Sequence, residues 1–178
     1  MTINANGNLV GGSICLSKAG VTGLSGAATT FSTGATAVTY ANQGKLPALK
    51  AQVSGGVTPT VDVVTGAAFK PIQKNQGGVF VFTLDAAGNY GVAQGPLPVS
   101  PTTTGTQTNV DDSGNYSFMP QFPSIPDALT AVSYVVVRAQ STYAGSGFIF
   151  GTALWNTTGI VISTPQDIMT LPAVPQVA

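Results

Sequence analysis

The residues of this chain that could do chemistry are few, and four of them stand together: Asp111, Asp112, Ser113 and Gly114. Asp112-Ser113-Gly114 matches the Asp-Ser/Thr-Gly triplet of aspartic proteases, whose reaction needs two carboxylates that share a proton. A homodimer could supply the second carboxylate. However, Asp111 stands where such a site needs an apolar neighbour, and triplets this short often arise by chance. The triplet is therefore weak evidence for a protease.

The same run also resembles part of a calcium-binding loop. Asn109, Asp111, Ser113 and Gly114 fall at positions 1, 3, 5 and 6 of the EF-hand pattern, which surrounds the ion with oxygen ligands. Pro120 stands at the twelfth position, where a bidentate Glu completes the shell. The run therefore cannot complete an EF-hand. A weak calcium site near Asp111 stays open, and a hairpin turn is the favoured interpretation.

The rest of the composition excludes most enzyme chemistry. The chain has no histidine and no glutamate, and it has one cysteine. Proton transfer near neutral pH most often uses imidazole or a tuned carboxylate, and zinc sites use sets of Cys and His. Cys15 has no imidazole to activate it, so we expect a small buried residue there. The sequence predicts a protein that is not an enzyme, without catalytic residues, cofactor or metal site.

Charge and hydropathy restrict the partners. Six basic residues balance six acidic ones, so no basic surface is available for nucleic acid. No apolar stretch approaches the ~18 residues of a membrane helix, and the start lacks the features of a secretory signal. A mean hydropathy of +0.30 is high for a chain without such a segment. We therefore expect much of the surface to be covered by other protein, and neither nucleic acid nor a membrane as partner.

A hairpin must position the acidic run. Residues 78–84 contain mostly β-branched and aromatic side chains, with valine and phenylalanine in alternation. Residues 85–89 supply a turn with glycine, and residues 90–93 form the return strand. The pattern of residues 84–90 recurs at residues 110–116. Two copies are too few for a repeat architecture, so shared hairpin chemistry explains the match.

Further strands are predicted after the second turn, at residues 133–139, 147–152, 159–163 and 168–171. Several are continuous apolar runs, such as residues 134–137, whereas a sheet with one wet face would alternate. We therefore expect both faces to be covered, by a second sheet and by a partner subunit. The fold class predicted is all-β, an antiparallel β-sandwich or barrel-like domain.

Two regions differ in composition. Residues 1–51 contain mainly Gly, Ala, Ser and Thr with scattered hydrophobes, which predicts an extended N-terminal arm with weak strands, sensitive to protease in the free protein. Residues 52–178 form the β domain, with an extended C-terminal tail that contains Pro172 and Pro175. Within the domain, residues 120–126 have a proline at every third position and read as a fixed extended crossover.

Part of the chain resembles small virion proteins of tailed bacteriophages. The resemblance covers about residues 70–175 and contains no catalytic motif. It is carried by the segments at residues 76–82, 84–88, 92–96, 120–127, 134–137, 150–152 and 158–160, and by Trp155.

The resemblance implies a structural role, as a head decoration or cement protein that is made in the host cytoplasm and binds the major capsid protein at the capsid surface. It also favours a homo-oligomer, with a trimer expected because decoration proteins often sit on threefold positions. The alternatives are a tail-tube or fibre component, or a carbohydrate-binding module that uses Trp155, Tyr143 or Tyr116. The candidate interface residues are Phe80, Phe82, Val136, Phe148, Phe150 and Trp155.

Overall fold

The computed structural model describes residues 12–98 and 107–168, together with the backbone of two short strands near the start. The described residues form strands and turns and contain no helix. Their strands are β1 (Thr2–Ile3), β2 (Leu9–Val10), β3 (Ile14–Cys15), β4 (Thr30–Phe31), β5 (Val38–Ala41), β6 (Ala48–Lys50), β7 (Gly56–Val57), β8 (Gln76–Leu84), β9 (Tyr90–Gln94), β10 (Thr130–Ala139), β11 (Ile160–Ile162) and β12 (Gln166–Asp167). All strand pairs are antiparallel, which confirms the predicted all-β class.

The central sheet is built around its two long strands, β8 and β10. Its order is β11-β10-β8-β9, and β12 shares the outer edge of β10 with β11. β8 and β9 form the predicted hairpin, with Leu84 opposite Tyr90. A register shift between Ala131 and Ser133 makes Val132 an extra residue in β10. Because of this bulge, Val132 packs in the same buried cluster as Val135 and Val137, and Ala131 packs against the cluster that contains Tyr134 and Val136.

The first face of the sheet carries the larger core. Phe80 stacks on Phe150 with ring centroids 4.1 Å apart, and Trp155 lies 5.0 Å from the same Phe150 ring. Phe69 meets both phenylalanines edge-on. Rings in stacked and edge-to-face contact bury large areas and add a favourable electrostatic contribution. The loop that carries Phe150 and Trp155 is therefore fixed by the aromatic side chains it delivers.

Residues 12–51 contribute to this core, which corrects, for these residues, the prediction of a separate arm over residues 1–51. A small sheet in the order β3-β5-β6 and the pair β4–β7 pack against the first face in a sandwich-like arrangement. Cys15, Phe31, Val38 and Tyr40 are at most 3 % exposed. The region has few large hydrophobes, but it folds because those few pack onto the aromatic residues of the central sheet rather than onto one another.

The second face is covered by the chain itself, where the sequence suggested a partner subunit. Val79, Val81, Tyr134 and Val136 form a smaller buried cluster with Ile168. Tyr116, Phe122, Ile125 and Ala131 pack against that cluster and are partly buried. The second hairpin, through Tyr116, and the segment that follows it, through Phe122 and Ile125, therefore supply most of the cover. Residues 120–126 lie in it without regular secondary structure, as the crossover prediction expected.

Two of the predicted strands differ from the structure, and the predicted tail lies outside the described residues. Residues 147–152 form turns instead of a strand, with a single bridge between Phe148 and Ile72, because Gly147 and Gly151 take positive φ angles there. The strand β12 ends at Asp167, before the strand expected at residues 168–171, and Ile168 has no regular secondary structure. The remaining residues of the expected strand, the C-terminal tail at residues 169–178 and the centre of the long connection at residues 99–106 lie outside the described residues.

A core substitution tests the position of the N-terminal region. Phe31 is 3 % exposed, and its ring lies 5.3 Å from that of Phe82 and 5.4 Å from that of Tyr90. We expect Phe31→Ala to lower the free energy of unfolding by about 3–5 kcal/mol in urea titrations, as for other buried phenylalanines.

The matched control is Leu46→Ala, in the same region but 90 % exposed, which should change the free energy of unfolding by less than about 0.5 kcal/mol. A loss below about 1 kcal/mol for Phe31→Ala would return this region to the status of an arm.

Candidate binding surfaces

The repeated pattern at Asp85 and Asp111 forms the same hydrogen-bonded turn twice. In each turn the Oδ1 atom accepts hydrogen bonds from the amides two and four residues later, at 2.8–2.9 Å, and Oδ2 accepts one from the side chain of the turn's asparagine. The glycine of each turn has a φ of 80° or 86°, which other residues rarely adopt. The hairpin interpretation of both runs is confirmed.

These hydrogen bonds lower the pKa of both carboxyl groups. At Asp111 the backbone hydrogen bond from Asn115 is the leading cause, because it stabilises the charged form. At Asp85 partial burial is the largest single influence and raises the pKa, but the hydrogen bonds from Asn89 and two neighbouring amides outweigh it. Both carboxylates therefore act as ionised acceptors inside their own turns.

The protease-like triplet is part of the second turn. Asn75 donates from Nδ2 to Oδ1 of Asp112 at 2.8 Å, and Ser141 donates from Oγ to the carbonyl oxygen of Asp112 at 3.0 Å. Arg138 donates to the carbonyl oxygen of Gly114 at 2.6 Å. These bonds attach the hairpin to neighbouring loops. Across residues 12–98 and 107–168, no group of three or more His, Cys, Asp or Glu side chains could hold a metal ion.

The residues whose spacing resembles a calcium loop point to different partners. The Asn109 side chain is fully buried and exchanges two hydrogen bonds with the backbone of Gly77, accepting at 2.8 Å and donating at 3.2 Å. Asp111 instead bonds within its own turn. The arrangement does not gather these oxygens around one point. The Asn109 side chain thus bonds the backbone of Gly77 near the start of β8, as a neighbouring strand would.

Cys15 is a buried structural residue, as the sequence indicated. Its thiol has no exposed surface and donates to the carbonyl oxygen of Ser17 at 2.9 Å. Burial raises the pKa of the thiol, which opposes formation of the reactive thiolate.

The six side chains predicted at an interface are buried inside the protein: Phe80, Phe82, Val136, Phe148, Phe150 and Trp155. Their exposed fractions lie between 0 and 3 %, so none can contact another subunit while the protein keeps this structure. The prediction of these residues as an interface is wrong. The apolar runs pack against the chain's own covers on both faces of the sheet.

The aromatic residues considered for carbohydrate binding are also unsuitable. Trp155 is 3 % exposed and donates from Nε1 to the carbonyl oxygen of Thr30 at 2.9 Å. Tyr143 is 6 % exposed. The Tyr116 ring lies directly over Gly77, and its burial raises the pKa of its hydroxyl to about 12. A sugar-stacking platform needs an open ring face, which Trp155 and Tyr143 do not provide, and the Tyr116 ring is partly buried.

The small N-terminal sheet has an exposed apolar face that the sequence analysis missed. Thr39 of β5 pairs with Leu49 of β6, and on its other side its carbonyl oxygen accepts a hydrogen bond from Leu16. Leu16 and Leu49 are 41 % and 72 % exposed, and nearby Leu46 is 90 % exposed. We call the surface formed by Leu16, Thr39, Leu46 and Leu49 the outer face.

Lysines accompany the leucines of the outer face in the sequence. Residues 45–50 read Lys-Leu-Pro-Ala-Leu-Lys, so each leucine has a lysine next to it. Two leucines flanked by lysines were a detectable signal, but the sequence analysis assigned this region to an arm. The Nζ atom of Lys50 is directed inward, 5.8 Å from the centre of the Tyr90 ring.

A second exposed apolar area lies at the open end of the central sheet. Two hollows of about 290 and 250 Å³ share Pro96 and Leu97 in their walls. Val64 borders the first hollow, and Phe118 and Met119 border the second, each 40–47 % exposed. We call these two hollows the proline groove.

The walls of the proline groove are held by specific contacts. The Gln94 side chain makes two hydrogen bonds of 2.8 Å with the backbone of Lys70, which fixes one wall. Gly95 passes directly beneath the carbonyl oxygen of Gln121, where any side chain would collide with the backbone. The shape of the groove is therefore set by the contact of Gln94 with Lys70 and by the close approach of Gly95 to Gln121.

No family model, curated protein or solved structure matches this chain. Over the part of the chain that the structure describes, no helix has the length and apolar character needed to cross a bilayer.

The two turn carboxylates should make the free energy of unfolding depend on acid. Because the folded-state pKa values of Asp85 and Asp111 are lowered below 3.8, the unfolded chain binds protons more readily. Their contribution to the free energy of unfolding is complete well above the ordinary aspartate pKa of 3.8. It is lost as the pH falls through the lower folded-state pKa values. NMR titration of the two carboxyl groups should give pKa values below the ordinary aspartate range. The free energy of unfolding measured in urea should decrease below about pH 4.

The control is the double variant Asp85→Asn and Asp111→Asn, measured over the same pH range. It should lose much of the acid-dependent part of the unfolding free energy. An unchanged dependence in the variant would assign that effect to other carboxyl groups.

Proposed function

We propose that this chain is a non-enzymatic structural protein of a tailed-phage virion, a head decoration or cement protein that stabilises contacts between major capsid subunits. It is made in the host cytoplasm and acts at the capsid surface. The observation that carries the proposal is the outer face, whose leucines are the most exposed large apolar side chains of its sheet. A protein that binds an extensive apolar partner gains from such a surface, whereas an isolated protein does not.

The chemistry of the surface supports binding rather than catalysis. Only 7 % of the residues are charged, and the Asp111–Gly114 run is used within a turn. Burial of each exposed leucine against a partner contributes about 1.5–3 kcal/mol, whereas an exposed ion pair contributes about 0–1 kcal/mol. The outer face can therefore supply most of the binding energy without charge pairing.

A substitution on the outer face tests the attachment. We expect Leu49→Lys to weaken retention on capsids of the cognate phage at least about tenfold, because it removes apolar contact area and places a charge in the interface. The measurement is copurification of added protein with intact capsids. Retention of the wild-type protein should change little between about 0.05 and 1 M NaCl, since apolar contacts are not screened.

The matched control is Val57→Lys, which adds the same charge at a side chain that is 79 % exposed on β7. It should leave retention unchanged. Dissociation that follows rising salt would show that lysines such as Lys45 make the contact and would contradict the apolar attachment. Copurification with tails in small numbers, and not with capsids, would contradict the head location.

We also propose that the free protein forms a closed homo-oligomer, with a trimer expected. The high mean hydropathy of +0.30 favours covered surface over an isolated monomer. Sedimentation at micromolar concentration should give the mass of three chains. A monomer at that concentration, which also leaves capsid stability unchanged when added back, would contradict this proposal.

A further inference from the structure

Part of the cover of the second sheet face is a segment held by side chains alone. We call residues 118–125 the strap. Its Phe122 ring meets the Tyr134 ring edge-on, with centroids 5.0 Å apart, and Ile125 packs against the same buried cluster. Neither Phe122 nor Ile125 is fully buried.

The strap lacks the backbone hydrogen bonds that hold the rest of the described chain. Residues 118–125 make no backbone-to-backbone hydrogen bond with any residue in the ranges 12–98 and 107–168. Pro120 and Pro123 have no N–H to donate, which removes two of the possible bonds. The free energy that keeps this segment in place therefore comes from packing of a few side chains.

The surroundings of the strap are loosely packed. Both hollows of the proline groove adjoin it, one at Pro123 and Ser124 and the other at residues 118–121. Phe118 and Met119 remain 44 % and 47 % exposed although they belong to the strap. Pro120 and Pro123 are the buried residues of the strap. The absence of a ladder of backbone hydrogen bonds is a feature of segments that open before the rest of a protein unfolds.

Both ends of the strap are attached. On one side, Ser117 donates to the carbonyl oxygen of Asn109 at 2.9 Å, within the second hairpin. On the other, Leu129 donates to Pro126 at 2.9 Å, and the buried Asn42 donates to the carbonyl oxygen of Ala128 at 2.9 Å. The fixed ends define where a hinge on either side would lie.

We propose that the strap is a conformational device that opens between residues 117 and 126 while both sheets stay folded. Opening uncovers the second face of the central sheet around Tyr134, next to Val81 and Val136, while Tyr116 and Ile168 stay packed on the cluster. The closed protein hides this apolar face, and the open form presents it for contact. The inference rests on the contacts of the strap and does not depend on the proposed role in a capsid.

Thiol labelling under native conditions tests the opening. Val136 and Val135 are neighbours in β10 whose side chains lie on opposite faces, with 3 % and 0 % exposure. We expect the thiol of Val136→Cys to react with a thiol reagent at least about tenfold faster than that of Val135→Cys, which corresponds to about 1.4 kcal/mol. The native Cys15, on the same face as Val135, is an internal reference in every variant.

Two further variants make the result independent of any single substitution. Val81→Cys, on the facing strand β8, reports the same side of the sheet as Val136→Cys and should react as fast. Adding Phe122→Ala, which removes the ring that packs on Tyr134, should speed labelling at Val136→Cys at least about tenfold more and leave Val135→Cys unchanged. The rate at Val136→Cys should also vary little with low urea concentrations, because local opening exposes little surface.

Equal rates at the two faces, with the same dependence on urea, would show that only global unfolding exposes them and would overturn the proposal. Acceleration of both faces by Phe122→Ala would mean that the strap is part of one cooperative unit, which also overturns it.

Discussion

The pairing of β8 with β10 is the interaction on which the rest of the structure depends. These two long strands lie next to each other at the centre of the sheet, and apolar residues occupy both of their faces. A sheet that is apolar on both faces cannot leave either one in water, because each exposed side chain would forfeit about 1.5–3 kcal/mol of burial. Two separate covers are therefore obligatory. The chain supplies both, one from its N-terminal region together with the Phe150 loop, and one from the second hairpin together with the strap.

This requirement decides which residues are left for contact with other molecules. The large aromatic side chains are buried in the core, where Phe80, Phe150 and Trp155 pack together. The cover of the first face is itself a small sheet, and a sheet that packs one side inward presents its other side outward. Leu16 and Leu49 lie on that outward side. The exposed apolar surface is thus a by-product of the cover, carried by the region with the least hydrophobic sequence.

The sequence predicted those elements that have a strong local signal. The β8–β9 hairpin and the two aspartate turns follow from alternation and from glycine and asparagine at fixed positions, and the structure contains them. The contribution of residues 12–51 could not be predicted, because Cys15 and Phe31 are isolated hydrophobes whose partners lie on β8, β9 and the Phe150 loop, far along the chain. For the same reason the continuous run at residues 134–137 indicated two covered faces correctly, but did not tell whether the cover was internal. The interface prediction was wrong because it assigned that cover to a partner subunit.

The two covers differ in kind, and the difference has physical consequences. The first cover combines backbone hydrogen bonds in short strands with aromatic stacking, so its loss would require many contacts to break together. The second has prolines in place of amide donors, and two of them, Pro120 and Pro123, are buried. Partly buried side chains such as Tyr116, Phe122 and Ile125 complete it over the cluster of Val79, Val81, Tyr134 and Val136. Glycine makes this second cover possible, since Gly77 leaves room for the Tyr116 ring and Gly95 for the strap backbone. Close approach over glycine gives contact without hydrogen bonding. A face closed in this way keeps its apolar residues dry while requiring the least free energy to open.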